Sequence, residues 1–509
     1  MGNNKNIRMK EHITNMKEVS LEIINIRKRL MFLNLLLSLF LLLTIQVFHL
    51  DRWGWAYLLY ALWQFFVYGK MLYSELKTPG LNMLSLFFLG ALMTVALPSF
   101  SYSVGLIEGK KFYCLADIYE ITDSVFQTSA AMNVYYSLFI LLLTRFSNNR
   151  MFIVDIDFIA KKYNLFYIAI FLYLIAFVFR AIPFIAMISS ALDQFAGSLP
   201  LLVVFLLAIY CGLSYKKDKY YWLFIVILFI EIACSFAFGM YKGTIIIYAV
   251  MYFLYYYLHT RTVGKNIINS KSILFGAFFL FFILYIVYPF INIKRNESNF
   301  GLNQDESKVK EVDNIDILVR VLTFDYDMEK ISGGDGMSEA FTGRMSAIYA
   351  NAFFYNDAYT NGFHNDMLKM SLQMMTPRLI LPDKQEGSDG NMTYGYMMGK
   401  EFTSVNSSSN FVGLFAGSYF WGGWVGAIVM CIINAWVLSL LLKTCFSNLD
   451  NIFSWIILTM TLMPMMRCFE ESSDGGVRGD VFYLFYVLII KTTSLFIGRR
   501  NSLYQQRHK

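Results

Sequence analysis

The chain has 509 residues, 57% of them hydrophobic, 18% aromatic and only 16% charged, with a mean hydropathy of +0.49. Soluble domains carry about 25% charged residues, so the balance excludes a soluble enzyme with a single anchor and predicts an integral membrane protein. The net charge of +7 resides largely in connections between apolar runs, and no nucleic-acid partner is expected.

In chain order, residues 1–29 are polar and basic. Met9, Ile13, Met16, Val19, Ile23 and Ile26 recur at helical spacing, which fits an amphipathic helix on an anionic membrane face, or equally a basic tail that only sets orientation. The first apolar run begins near Leu30; it is too long for a signal-peptide core and lacks a small-residue cleavage site. Apolar runs follow at 30–50, 54–73, 80–103, 125–144, 165–187, 198–214, 220–238, 243–258, 272–292, 411–442, 450–469 and 480–498. Each is long enough, or nearly so, to cross a hydrocarbon core of about 30 Å. The expected fold class is therefore an all-α polytopic membrane protein with about 12 transmembrane helices. Nine spans fall in 30–292 and three in 411–498, with a short tail at 499–509.

The run at 411–442 is too long for one straight span. Gly413, Gly417, Gly422, Gly423 and Gly426 predict a broken or re-entrant segment before the true span. With the N-terminus inside, more than half of the 43 lysines and arginines fall on the inner side, among them Arg27, Lys28, Arg29, Lys161, Lys162, Lys216 and Lys217. Both termini are then cytoplasmic, and the large polar segment at 293–410 faces outside. Within it, Val309, Val312, Ile315, Leu318 and Leu322 predict one helix. Ser338 is a plausible N-cap for a second through Tyr355, and 365–375 reads as a Met-rich third. Pro377 and Pro382 fix a rigid bend after it.

Basic residues gather on the expected outer side. They are Arg180 beside Pro183, Lys242 in a turn, Arg344, Arg378 and Lys384 in the large loop, and Arg467 and Arg478 around an acidic stretch. Guanidiniums at that level suit a diphosphate, which accepts bidentate hydrogen bonds. Each also has a plainer reading: Arg180 snorkels to the interface, Arg467 pairs with Glu470 or Glu471, and Lys242 and Arg344 are solvated. Candidate bases are His364, Glu470 and Asp474. Glu231, near the middle of the seventh run, is either a proton-relay acid or a structural partner. The six cysteines show no metal or redox spacing, and no nucleotide loop or zinc motif is present; neither metal nor cofactor is expected.

Thr376-Pro377-Arg378 followed by Leu381-Pro382-Asp383-Lys384, then Gly413, Gly417, Tyr419, Phe420, Gly422 and Gly423, resembles the Wzy-type oligosaccharide repeat-unit polymerases, the O-antigen polymerase class. The turn from Gly239 to Gly243 resembles the family's Gly-x-Arg turn, with Lys242 where arginine is usual; Gln385 stands where the family has a proline after the loop lysine. The resemblance implies a metal-independent glycosyltransferase in a bacterial cytoplasmic membrane. It implies an undecaprenyl-diphosphate-linked glycan as donor, a lipid-linked repeat unit as acceptor, and a chain-length regulator and a flippase as companions. Arg180, Arg344, Arg378 and Arg467 would hold the diphosphate. The rivals are an O-antigen-ligase-like transferase with another acceptor, a transferase using a polyprenyl-monophosphate sugar, a lipid-linked oligosaccharide transporter or flippase, and a sensor or purely structural membrane protein. A first outer loop as short as Asp51-Arg52 argues against the monophosphate enzyme, and the long outer loop argues against transport.

Overall fold

The computed structural model describes residues 2–76, 81–114, 119–147, 153–154, 165–181, 190–212, 219–238, 242–262, 281–297, 313–326, 347–362, 413–448 and 483–495. Separate positions at 274, 278, 451, 453–454, 457–458, 461 and 480 are also described. The chain forms two compact units, one of Met1–Val154 with Phe341–Lys509, the other of Asp155–Ala340. Apart from four two-residue strands paired as two short antiparallel ladders, the described elements are helical.

In the first unit α1 (Gly2–Phe48) and α2 (Gly54–Leu76) form an antiparallel pair. α3 (Met83–Ala91) continues through a π-helical turn, Leu92–Ala96, into α4 (Leu97–Ile107), and α5 is Val125–Phe146. α1 runs unbroken through the position where the basic tail and the first span were expected to meet. Among the described residues, four stretches are long and apolar enough to cross a membrane: Leu21–Phe48, Leu84–Ile107, Val125–Phe146 and Leu414–Ser447. α2 has comparable length, but its tyrosines, Gln64 and Lys70 lower its hydropathy.

These helices bury polar groups among their core residues and leave large apolar side chains exposed. On α1, Leu33, Leu36, Phe40, Leu43 and Val47 form an exposed stripe, whereas Arg27, Asn34 and Ser38 point inward and are buried. On α2, Leu59, Leu62 and Phe66 are exposed and Gln64 and Glu75 are fully buried. In hydrocarbon an apolar side chain gains nothing by hiding and a polar one must find partners inside the bundle. The exposed leucines and Phe40 therefore suit helices of membrane-crossing length.

The inward polar groups set the register. Arg27 meets Glu75 at 2.6 Å, Trp63 Nε1 donates to Asn34 Oδ1 at 2.9 Å, and the Ser38 and Tyr60 hydroxyls lie 2.6 Å apart. Position numbers rise on α1 as they fall on α2, as an antiparallel pair requires. α5 joins through Asn34 Nδ2 to Ser137 Oγ at 2.8 Å and Gln64 Nε2 to Ser129 Oγ at 2.8 Å. Tyr68 donates its hydroxyl proton to Asn133 Oδ1, and the Ser99 and Ser129 hydroxyls bring in α4 at 2.9 Å. Ser129, Asn133 and Ser137 follow at i, i+4 and i+8, one polar line on one face of α5.

In the second unit α6 (Leu165–Ala181), α7 (Ser190–Gly212), α8 (Lys219–Phe238) and α9 (Lys242–Thr262) pack together, α7 lying against α6, α8 and α9. A π-helical turn at Ile283–Val287 leads into α10 (Tyr288–Glu297), and α11 (Asn314–Leu322) packs back on both. α11 covers Ile315, Leu318 and Leu322 of the helix expected there, with Asp313 as its N-cap; Val309 and Val312 lie outside the described residues.

Candidate functional site

The helix expected through Tyr355 is described over Ala347–Asn361 (α12), six residues past that end, and it packs within the first unit; its expected cap, Ser338, lies outside the described residues. Asn351, Ala352, Phe353, Phe354, Tyr355 and Ala358 are all buried. α12 packs on α5 and on α13 (Leu414–Ser447).

α13 has the expected break. Gly422 (φ −159°, ψ 25°) and Gly423 (φ 60°, ψ −149°) are non-helical inside it. The Gly423 conformation is essentially closed to residues with a Cβ. The limb before the break folds beside the limb after it. The Ser418 carbonyl oxygen lies 2.7 Å from where a Cβ on Gly426 would be, although eight residues of straight helix would separate them by about 12 Å. The Phe415 and Trp424 rings likewise approach to 5.8 Å. The first limb, Leu414 to Trp421, is buried throughout. The second limb exposes Val425, Ile428, Val429, Ile432, Ile433 and Trp436 as one apolar stripe.

Tyr135, midway along α5, joins both limbs. Its ring lies 5.8 Å from Phe415 on the first limb. Its hydroxyl accepts from Asn434 Nδ2 at 3.2 Å and its carbonyl oxygen lies 3.7 Å from Cys431 Sγ, both on the second limb. The Ser418 side chain is also within its reach. α12 closes the other side with Phe354 on Phe420 at 5.6 Å and Tyr355 on Tyr419 at 4.6 Å. Asp480, 5% exposed, lies within electrostatic range of Tyr135. Among the described residues, Asp480 Oδ2 and Asn434 Oδ1 are buried without a hydrogen-bond partner. A buried carboxylate, an amide and two hydroxyls within an aromatic surround can hydrogen-bond a hydroxyl-rich ligand and take up a proton. A carboxyl group buried in protein is costly unless it is hydrogen-bonded, so an unpartnered oxygen there marks a candidate functional position.

Glu231 in the second unit is a structural clip. Tyr173 of α6 and Tyr248 of α9 each donate a hydroxyl proton to one of its carboxylate oxygens, both at 3.1 Å. It thereby ties α8 to its two neighbours.

Of the residues singled out from sequence, Arg180 falls on the last turn of α6 and Lys242 is the first residue of α9 instead of a turn residue; their side chains are outside the described set. Arg344, Arg378, Lys384, Arg467, Arg478, His364, Glu470 and Asp474 also lie outside the described residues, as does the Met-rich segment at 365–375. Among the described residues no cluster of His, Cys, Asp and Glu could hold a metal ion. Sequence reasoning passed over Tyr135, Asn434 and Asp480. The signal for Asn434 was available: an amide within an apolar run, at the spacing from Cys431 that puts both on one helix face. No protein family, curated protein or solved structure matches this chain.

Proposed function

We propose that this chain joins oligosaccharide repeat units carried on undecaprenyl diphosphate at the outer face of a bacterial cytoplasmic membrane. In this reading it has about twelve spans, cytoplasmic termini and an outer loop at 293–410. The observation that carries the reading is the glycine break in α13, with its first limb and α12 folded against Tyr135. Irregular backbone at membrane depth survives where protein buries it or a cavity meets it, and here it sits among aromatic rings and a buried carboxylate. The Gly/aromatic run that resembles the Wzy-type pattern is this first limb together with its break.

The chemistry is one displacement. An acceptor sugar hydroxyl attacks the donor's anomeric carbon, a new C–O bond forms, and the bond to the diphosphate breaks. The lipid diphosphate leaves with its electron pair, and the hydroxyl proton passes to a base. Arg180, Arg344, Arg378 and Arg467 are the proposed holders of the leaving diphosphate, where cations stabilise the developing charge; Lys242, Lys384 and Arg478 are the further basic candidates. Asp480 joins His364, Glu470 and Asp474 as a candidate base, on the strength of its burial within electrostatic range of Tyr135 and its unpartnered Oδ2.

Transport of a lipid-linked oligosaccharide is the second reading, because broken helices also build transporter sites. Arg378→Ala in the native host separates the two at unchanged protein abundance. Polymerisation predicts single lipid-linked repeats at the outer face without long chains. Transport predicts repeats trapped at the cytoplasmic face. Intact long chains would contradict the role given to Arg378.

A further inference from the structure

α11 divides its surface into three sectors. At 100° per residue, Ile317 and Val321 fall on one side, Asp313, Asp316 and Arg320 on a second, and Ile315, Leu318, Val319 and Leu322 on a third. The first sector is buried against α10 and the π-helical turn in a cluster with Val287, Phe290 and Ile291. The second is charged but internally compensated. Arg320 Nη2 donates to Glu297 Oε1 at 2.7 Å, and its Nε lies 3.0 Å from Asp316 Oδ2. The third is exposed and wholly apolar, Ile315 being 74% exposed and Leu322 56%.

That apolar sector continues a surface already suited to lipid. Leu274, Phe278 and Phe281, spaced as one helix face ahead of the π-helical turn, are exposed. Phe281 stacks on Tyr285 at 4.6 Å, Tyr285 meets Phe324 at 6.4 Å, and Phe324 meets Tyr326 at 6.3 Å. Phe324 reaches this row because it takes the left-handed conformation (φ 56°) just after α11 ends. The Tyr326 hydroxyl donates to the Tyr285 carbonyl at 3.2 Å, fixing the row to the π-helical turn. A row of aromatic residues with polar tips, beside an apolar stripe and flanked by compensated charges, is the pattern of the membrane–water boundary.

We propose that α11 is an interfacial helix: its Ile315, Leu318, Val319 and Leu322 face sits in the headgroup–acyl boundary of the bilayer and pins the chain after α10 to the membrane surface. The charged sector faces water, and the buried sector holds the helix to its own unit.

The test uses the full-length protein in vesicles of phosphatidylethanolamine and phosphatidylglycerol. A benzophenone amino acid replaces Ile315, Val319 or Leu322 in turn, and Asp316 as control; all four are exposed positions that the fold tolerates. After irradiation, mass spectrometry is expected to find lipid adducts at the first three and their loss at Asp316. Cross-linked dimers or protein–protein adducts in place of lipid would overturn the proposal by naming a protein occupant, and absence of any adduct would overturn it in favour of water. A second measurement is independent of the photoprobe. In a chain whose six cysteines are serine, Leu322→Cys should react with a membrane-impermeant maleimide more slowly than Asp316→Cys, and equal rates would contradict lipid burial.

Discussion

The two units make their interiors polar in different ways. In the first, neutral amides and hydroxyls are shared across α1, α2, α4 and α5, so that Asn133 alone meets Asn34, Tyr68 and the Ser129 carbonyl. The Arg27–Glu75 pair is the charged exception, at the end of α2. In the second, one carboxylate, Glu231, receives two tyrosine hydroxyls from two other helices. A network of neutral groups spreads the loss when one member is removed. A charge concentrates it, because a buried charge without its partner is costly.

The comparison is tested most strongly at its charged exception. Arg27→Ala or Glu75→Ala should each destabilise the first unit by about 3–5 kcal/mol, read as a fall in thermal midpoint and in membrane abundance. The double variant Arg27→Met with Glu75→Leu should recover most of that loss. Next, Glu231→Ala leaves two tyrosine hydroxyls without their acceptor, at about 1–3 kcal/mol each. Glu231→Gln keeps an acceptor oxygen and should be milder by the same assay; equal effects would show that Glu231 is not the clip described. Gly423→Ala should cost about 1–3 kcal/mol for its backbone conformation, whereas Gly422→Ala, with φ −159° and open space for a Cβ, should cost less.

Asn133→Leu should cost about 0.6–1.7 kcal/mol, the range for interhelical hydrogen bonds in membranes. A much larger loss would mean that the first unit's network is as concentrated as the second's. The smallest effect belongs to Arg52 and Asp123, an exposed pair at 2.6 Å, worth less than about 1 kcal/mol. The Arg52 hydrogen bond holds the Asp123 carboxyl below the usual carboxylate range. Its contribution is therefore present above the ordinary Asp pKa and fades as pH falls through the lowered one, and salt should weaken it. Arg52→Ala should remove that acid and salt sensitivity from the thermal midpoint.

The glycine run at 413–426 announced the break in α13 because only glycine accepts the Gly423 conformation, and a helix that long had to bend. The apolar spacing through Ile315, Leu318 and Leu322 announced α11 by period alone; its cap, Asp313, emerged only in the structure. α12 runs past its expected end at Tyr355 to Asn361, and its packing was not legible because its contacts are with α5 and α13, far off in sequence. The Tyr135 site was hidden for the same reason: one tyrosine among 34 gains meaning only when Phe415, Asn434 and Asp480 converge on it. The polar line Ser129, Asn133 and Ser137 was legible by spacing, but it was outweighed by the hydropathy of the run around it.

The activity proposed for the buried site around Tyr135 is polymerisation of lipid-linked repeats. It is tested most directly by deleting the gene in its host and restoring either the natural chain or Asp480→Asn at equal membrane abundance. The account predicts that the natural chain restores long glycans, whereas Asp480→Asn leaves single repeats on their lipid diphosphate at the outer face. Long glycans that persist in the deletion strain, or that Asp480→Asn restores in full, would contradict it.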